Sequence, residues 1–265
     1  MNVLEAVFLG VLQGVTEFLP VSSSGHLVLA EYFLNLKEAG LAFDVILHMG
    51  TLVAVIAYFY RDWLSMARAL FFYKKADRGA RKLLFFLIVG TVPGAVAGFL
   101  LEHVAATYFR SPWIVVCTLA GVAIVLFVAD RLARHELDLK DIGFFQALLV
   151  GLSQALAIVP GVSRSGITMT CGLFLGFNRE AAARFSFLLS APIIAGAGLY
   201  ETAKLLQHGP SSIDLNYLFG FLASAVSGYL VIAFLMNYLK RHDFTPFVIY
   251  RLVLAGVVAT VLLLT

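Results

Sequence analysis

Charge is what this sequence has least of. Of 265 residues, 19 are Lys or Arg and 16 are Asp or Glu, so 13% are charged, against about 25% in a soluble domain. That shortage excludes an ordinary soluble globular domain. With 61% hydrophobic residues and a mean hydropathy of +0.92, it makes the chain an integral membrane protein. The net charge of +3 is no electrostatic footprint for nucleic acid, so no such partner is expected. Cysteine is nearly missing as well. Cys117 and Cys171 sit in apolar segments, which excludes a disulfide framework and a cysteine metal cluster. The first apolar run has no basic stretch ahead of it and leads into Glu17 and Pro20, so a cleavable signal peptide is not expected.

What is there is a series of apolar segments. A spanning helix needs about 20 apolar residues, and six segments qualify, at roughly 43–60, 83–101, 112–130, 184–200, 217–238 and 247–264. Two more apolar regions, about 4–35 and 144–176, are broken by Pro-Ser-rich elbows. Their arms are too short to span, so each is expected to be a re-entrant helix–turn–helix hairpin, with its bare backbone shielded by protein or a wet cavity. The expected fold is an all-α polytopic membrane protein with six transmembrane helices and two re-entrant hairpins, in a single membrane domain over residues 1–265.

The chain repeats itself. Gly10-Val11-Leu12-Gln13 matches Gly151-Leu152-Ser153-Gln154, and Ser22-Ser23-Ser24-Gly25 matches Ser163-Arg164-Ser165-Gly166, both at an offset of 141 residues. Phe43, Leu47 and Tyr58 match Phe185, Leu189 and Tyr200 at 142. Halves of about 1–140 and 141–265 each hold one hairpin and three spans. Three is odd, so the second half is expected to enter the membrane inverted, as in many transporters. Lys and Arg are concentrated in the 61–82, 131–143 and 239–245 connections, all on one side of a six-span chain, which the positive-inside rule makes cytoplasmic. Both termini then lie outside, and the two elbows meet near the midplane from opposite sides.

The elbows hold the chemistry. In the first, Gln13 and Glu17 share a helix face, Pro20 ends the helix, and Ser22, Ser23, Ser24, Gly25 and His26 follow at a second helix start. The second runs through Pro160, Gly161, Ser163, Arg164, Ser165, Gly166 and Thr168. An arginine at membrane depth is a functional hypothesis by default, and its planar fork suits phosphate. Gly25, Gly161 and Gly166 let backbone approach an anion. Ser22, Ser24, Ser163, Ser165 and Thr168 offer hydroxyls, and two helix N-termini offer amides. Glu17 and His26 have only apolar or hydroxyl counterparts in the second half, so the acid–base groups come from one half and the cation from the other. Carboxylate, histidine, serine and arginine together favour phosphoanhydride hydrolysis. The other reading, from the repeat alone, is a transporter or flippase for an anionic lipid or solute.

These residues resemble the undecaprenyl-diphosphate phosphatase family, also called the bacitracin-resistance family. The likeness covers essentially the whole chain. It rests on Gln13-x-x-x-Glu17 followed by Phe-Leu-Pro-Val-Ser-Ser-Ser-Gly-His26, and on Pro160-Gly-x-Ser-Arg-Ser-Gly-x-Thr168; Phe185–Leu189 and Phe247-x-x-Tyr-Arg251 support it. The resemblance implies removal of the terminal phosphate of a C55 polyprenyl diphosphate, which recycles the carrier lipid for peptidoglycan synthesis and gives bacitracin resistance. It implies a multi-pass protein of the bacterial cell membrane with its site open to the outer, periplasmic side, and a divalent cation, Mg2+ or Ca2+. Gln13 and Glu17 would be the metal ligands, but Gln13 stands where many members have Glu, so the metal is expected mainly on the substrate. Glu17, Ser23, His26 and Arg164 are the catalytic candidates, with Ser23, His26 or water as nucleophile. A homodimer is compatible with the sequence and not demanded by it. His48, within a span, is expected to pack, and Arg251 to snorkel to the cytoplasmic interface.

Overall fold

The computed structural model describes residues 2–34, 40–71, 78–109, 111–207 and 215–264. Among them are eleven α-helices and no strand beyond one bridged pair, Leu137 with Phe177. Helices α1 (Val3–Phe18) and α2 (Ser23–Leu34) form the first hairpin, and α7 (Phe144–Ala155) and α8 (Arg164–Phe174) the second. The longer apolar helices are α3 (Gly40–Tyr58), α5 (Arg78–Tyr108), α6 (Pro112–Leu132), α9 (Arg179–Gln207), α10 (Leu215–Tyr238) and α11 (Thr245–Leu264). Five of these are long and apolar enough to cross a membrane alone; α3 reaches that length only together with α4 (Tyr60–Phe71), from which it is bent by 78°. The chain is an all-α, multi-pass membrane protein.

One stretch differs from the sequence reading. The first part of the expected 61–82 loop is the helix α4. Met66 and Ala69 are buried while Arg61 and Arg68 face out, so it is an amphipathic helix. Asp62 in its first turn and Arg68 in its last also suit the helix dipole. Arg61 and Arg68, two of the basic residues that mark this stretch as a loop, lie on its polar face; Lys74 and Lys75 lie outside the described residues.

Each hairpin's first arm packs on a span from the other half of the sequence: α1 lies along α10, and α7 along α5. The contacts are backbone on backbone. A Cβ at Gly10 would stand 2.4 Å from the Gly220 carbonyl oxygen, and one at Gly151 2.4 Å from that of Gly90. Lipid gives no hydrophobic drive for helices to associate, so such close approach of small residues is what holds them. The Phe18 ring meets Phe187 edge-on at 5.4 Å and anchors the first elbow against α9.

The basic connections gather at one end of the molecule. Arg184 holds Asp62 with bonds of 2.7 and 2.9 Å, Arg131 holds Asp243 at 3.3 Å, and Arg179 Nε donates to the buried Asp130 at 2.6 Å. Lys82 donates to the Lys140 carbonyl at 3.4 Å. These contacts tie the 61–82, 131–143 and 239–245 connections and the start of α9 together.

Candidate active site

The two elbows are built alike. Ser22 has φ +76° and Ser163 φ +74°, a left-handed conformation that non-glycine residues adopt at a cost of about 1–3 kcal/mol. Each offsets it by capping. Ser22 Oγ accepts from the Gly25 amide at 3.2 Å and Ser163 Oγ from the Gly166 amide at 3.0 Å. The Ser22 and Ser163 carbonyls accept from the amides of His26 and Ile167. Of the four orphan amides at each helix start, those of Ser23 and Ser24 on α2, and of Arg164 and Ser165 on α8, have no such capping bond among the described residues.

Glu17, at the end of α1, is where the elbows meet. Its Oε1 accepts from Arg164 Nη2. Its Oε2 accepts from Ser23 Oγ at 2.5 Å and from Gln13 Nε2 at 3.1 Å. As the ion-pair partner of Arg164, Glu17 is an acceptor on both oxygens. Arg164 Nη1 is buried and has no acceptor among the described residues. Ser165 Oγ ties the elbows directly, donating to the Leu19 carbonyl at 3.0 Å.

These groups border a cavity of about 420 Å³. Glu17, Ser23, Ser24, Ser163 and Arg164 line it, with Gly94 and Gly98 of α5 and Ile193 and Ala197 of α9 as apolar walls. The wall residues lie along α5 and α9 away from the basic end. A second space of similar size continues between α5 and α9, past Phe99 and Tyr200.

The remaining expected site residues stand behind the cavity. Ser22, Gly25, Gly161, Ser165, Gly166 and Thr168 shape the elbows from within: Gly161 has φ +88°, and Thr168 Oγ1 bonds to Ser186 Oγ at 2.7 Å. His26 faces α11. Its Nδ1 donates to the Ser22 carbonyl, and its Nε2 accepts from the Tyr250 hydroxyl, both at 2.7 Å, and the two rings stack. Gln13 is fully buried beside Glu17, and its Oε1 has no donor among the described residues.

Two expectations are corrected. His48 is no packing residue: it lines the cavity with Asp44, and its Nε2 is 4.0 Å from Glu17 Oε2. Its Nδ1 donates to the Asp44 carbonyl at 2.7 Å, which aims Nε2 at the site. The signal was present, since Asp44 and His48 are four apart on one helix face, as Gln13 and Glu17 are. Arg251 does not snorkel. It is fully buried and is spent on carbonyls of both elbows and of α6, because the broken backbone there needs donors that no side chain nearer in sequence supplies. Gln154, the repeat counterpart of Gln13, also lines the cavity.

A family model described as bacitracin resistance protein BacA matches residues 6–257. The chain is 48% identical over 261 residues to an undecaprenyl-diphosphatase of Moorella thermoacetica, covering 98% of each chain. It is 48% identical over 273 residues to the undecaprenyl-diphosphatase of Rubrobacter xylanophilus, covering all of both. For that of Desulforudis audaxviator the identity is 47% over 268 residues, covering all of this chain and 99% of the other.

Proposed function

The chain belongs to the bacitracin resistance protein BacA family, and we propose that it hydrolyses undecaprenyl diphosphate to undecaprenyl phosphate and inorganic phosphate. The observation that carries this reading is the juncture at Glu17. One carboxylate accepts the proton of a serine hydroxyl at 2.5 Å and pairs with an arginine that still has a nitrogen to offer. A transporter needs an anion site but no carboxylate on a hydroxyl.

In the first step Ser23 Oγ attacks the outer phosphorus and its proton passes to Glu17 Oε2. The bond from that phosphorus to the bridging oxygen breaks, and undecaprenyl phosphate leaves. In the second step water attacks the phosphoserine, the bond from phosphorus to Ser23 Oγ breaks, and inorganic phosphate leaves. Glu17 returns its first proton to Ser23 Oγ as that oxygen leaves, takes a proton from the attacking water, and then gives that proton up to solvent, which restores the carboxylate. Arg164 Nη1 and the free amides of Ser23, Ser24, Arg164 and Ser165 carry the charge on the transferring phosphoryl group. Both ring nitrogens of His26 are engaged behind the elbow, which favours Ser23 over His26 as nucleophile. The apolar space between α5 and α9 suits the isoprenoid tail.

The residues do not fit a divalent ion held by the protein. Among the described residues no three of His, Cys, Asp and Glu gather to hold one, and Glu17 is engaged by Arg164, Ser23 and Gln13. Mg2+ or Ca2+ is proposed to arrive on the diphosphate, where it would offset the substrate's charge. The cavity lies away from the basic end, and that end is proposed as cytoplasmic in a bacterial inner membrane, with the site opening to the periplasmic side. The proposed biological outcome is recycling of the carrier lipid, and with it bacitracin resistance.

Purified protein in detergent, where no transmembrane gradient exists, is expected to release phosphate from undecaprenyl diphosphate and to carry radiolabel on Ser23 after an acid quench. Ser23→Ala should do neither. Undiminished release by that variant would remove Ser23 as nucleophile, and no release by the native protein would favour transport.

A further inference from the structure

The reaction above leaves Arg251 unused, although its side chain is fully buried and no carboxylate among the described residues pairs with it. A charge at such depth persists only where it is fully satisfied. Here carbonyls do it. Nε donates to Leu119 O at 3.0 Å and Nη1 to Pro20 O at 3.0 Å. Nη2 donates to Gly161 O at 2.7 Å, with Thr118 O and Val162 O each at 3.2 Å. The acceptors come from three places: Pro20 from the first elbow, Gly161 and Val162 from the second, and Thr118 and Leu119 from α6. The elbow carbonyls lie outside helices, where lipid offers no donors. Two neighbours reinforce the arrangement. The Thr118 hydroxyl lies 2.7 Å from Pro160 O, and Tyr250, the residue before Arg251, holds His26 of the first elbow.

We propose that Arg251 is a positioning residue for the hydrolysis: it fixes the two elbows in one register, and so brings Ser23 and Arg164 together on Glu17. The proposal rests on the hydrolytic reading above. Ser23 follows Ser22 directly and Arg164 follows Ser163, so a slip of either elbow moves a reacting group. A misplacement of about 1 Å costs about 10²-fold in rate. Lysine cannot replace the fork, because a single ammonium cannot reach carbonyls on three segments from one point.

The test uses the purified full chain in detergent, with kcat and KM for undecaprenyl diphosphate measured beside hydrogen exchange over residues 20–26 and 161–168. Arg251→Lys is expected to lower kcat about 10²-fold with KM within about threefold, since the groups that bind phosphate are all retained. Both elbows should exchange faster while α10 does not. Thr118→Val keeps the guanidinium and removes one hydroxyl bond; it should give a smaller fall in kcat and loosen the second elbow alone. Native kcat with unchanged exchange in Arg251→Lys would overturn the proposal. So would faster exchange throughout the chain with kcat lost in proportion to folded protein, which would make Arg251 a packing residue. Should Arg251→Lys fail to fold, Arg251→Gln, which is neutral and so cheaper to bury, decides: native kcat and exchange there overturn the proposal. If the native protein releases no phosphate, the hydrolytic reading fails, while elbow exchange still reports whether Arg251 holds the elbows.

Discussion

Replacing Arg164 by lysine keeps the charge and removes the fork, which separates the two things this residue does. In the native arrangement Nη2 holds Glu17 Oε1, and Nη1 is buried with no acceptor among the described residues. The guanidinium can therefore keep Glu17 in place and reach a phosphoryl oxygen with a different nitrogen. A lysine ammonium must serve both from a single point. If it stays on Glu17, the phosphoryl group loses one transition-state donor, a loss of about 10²–10³-fold in kcat, or roughly 3–4 kcal/mol. If it turns to the phosphate, Glu17 is no longer held against Ser23, and the rate falls by the other route. Arg164→Ala should lose at least as much and also leave Glu17 unpaired at membrane depth. The assay is phosphate release from undecaprenyl diphosphate, with the melting temperature of each variant in the same detergent. The combined Glu17→Gln and Arg164→Gln variant completes the comparison. Near-native turnover by Arg164→Lys would refute the reasoning. A double variant that melts above both single variants and near the native protein, alongside such turnover, would assign Arg164 to structure alone.

Further outcomes are expected. Gly151→Ala drives a methyl against the Gly90 carbonyl, at 2.4 Å, and should destabilise the α5–α7 contact by about 1–3 kcal/mol; an unchanged melting temperature would show that the helices can part freely. Tyr250→Phe removes the 2.7 Å bond to His26 and should lower stability by about 1 kcal/mol while most turnover remains; abolished turnover at native stability would bring His26 into the chemistry. His48→Phe keeps the bulk of the cavity wall and removes the nitrogen facing Glu17, and should lower kcat at least about tenfold; native kcat would make that wall passive. A cysteine in place of Asp138, with Cys117 and Cys171 replaced, should react with impermeant reagent only from the inside of oriented vesicles, and labelling only from outside would invert the topology.

The spans were legible because lipid imposes one strict rule, a long apolar run. Five helices obey it alone. The elbows were legible because Pro20, Pro160 and the serine runs stop helices whatever the tertiary setting. α4 was not, because an amphipathic helix at an interface and a basic loop share a composition, and only packing of Met66 and Ala69 tells them apart. Arg164 was legible as a cation at membrane depth that suits phosphate, but its pairing with Glu17 shows only in the fold. His48 and Arg251 were hidden for a different reason. Each lies on a helix, and which way it faces depends on what packs beside that helix. Arg251 in particular answers a demand made by carbonyls about 90 and 231 residues away in the chain, which no local pattern records.

The repeat explains why the site can be catalytic and not merely anion-binding. At an offset of 141 residues, Ser22 and Ser163 share the same left-handed backbone and the same capping bond. Gly10 and Gly151 share the same close approach to a facing carbonyl. The scaffold is thus duplicated down to single hydrogen bonds. The residue that follows each capping serine is not: Ser23 opens α2 and Arg164 opens α8. Two copies of the first elbow would offer hydroxyls with no arginine, and two copies of the second a pair of arginines with no serine in the place of Ser23. Glu17 breaks the remaining symmetry, since its counterpart is Ile158, and its two oxygens face the two different residues. Equal scaffolds thus bring unlike groups to one carboxylate. A phosphoryl transfer needs that difference between its attacking side and its charge-bearing side, whereas holding an anion does not.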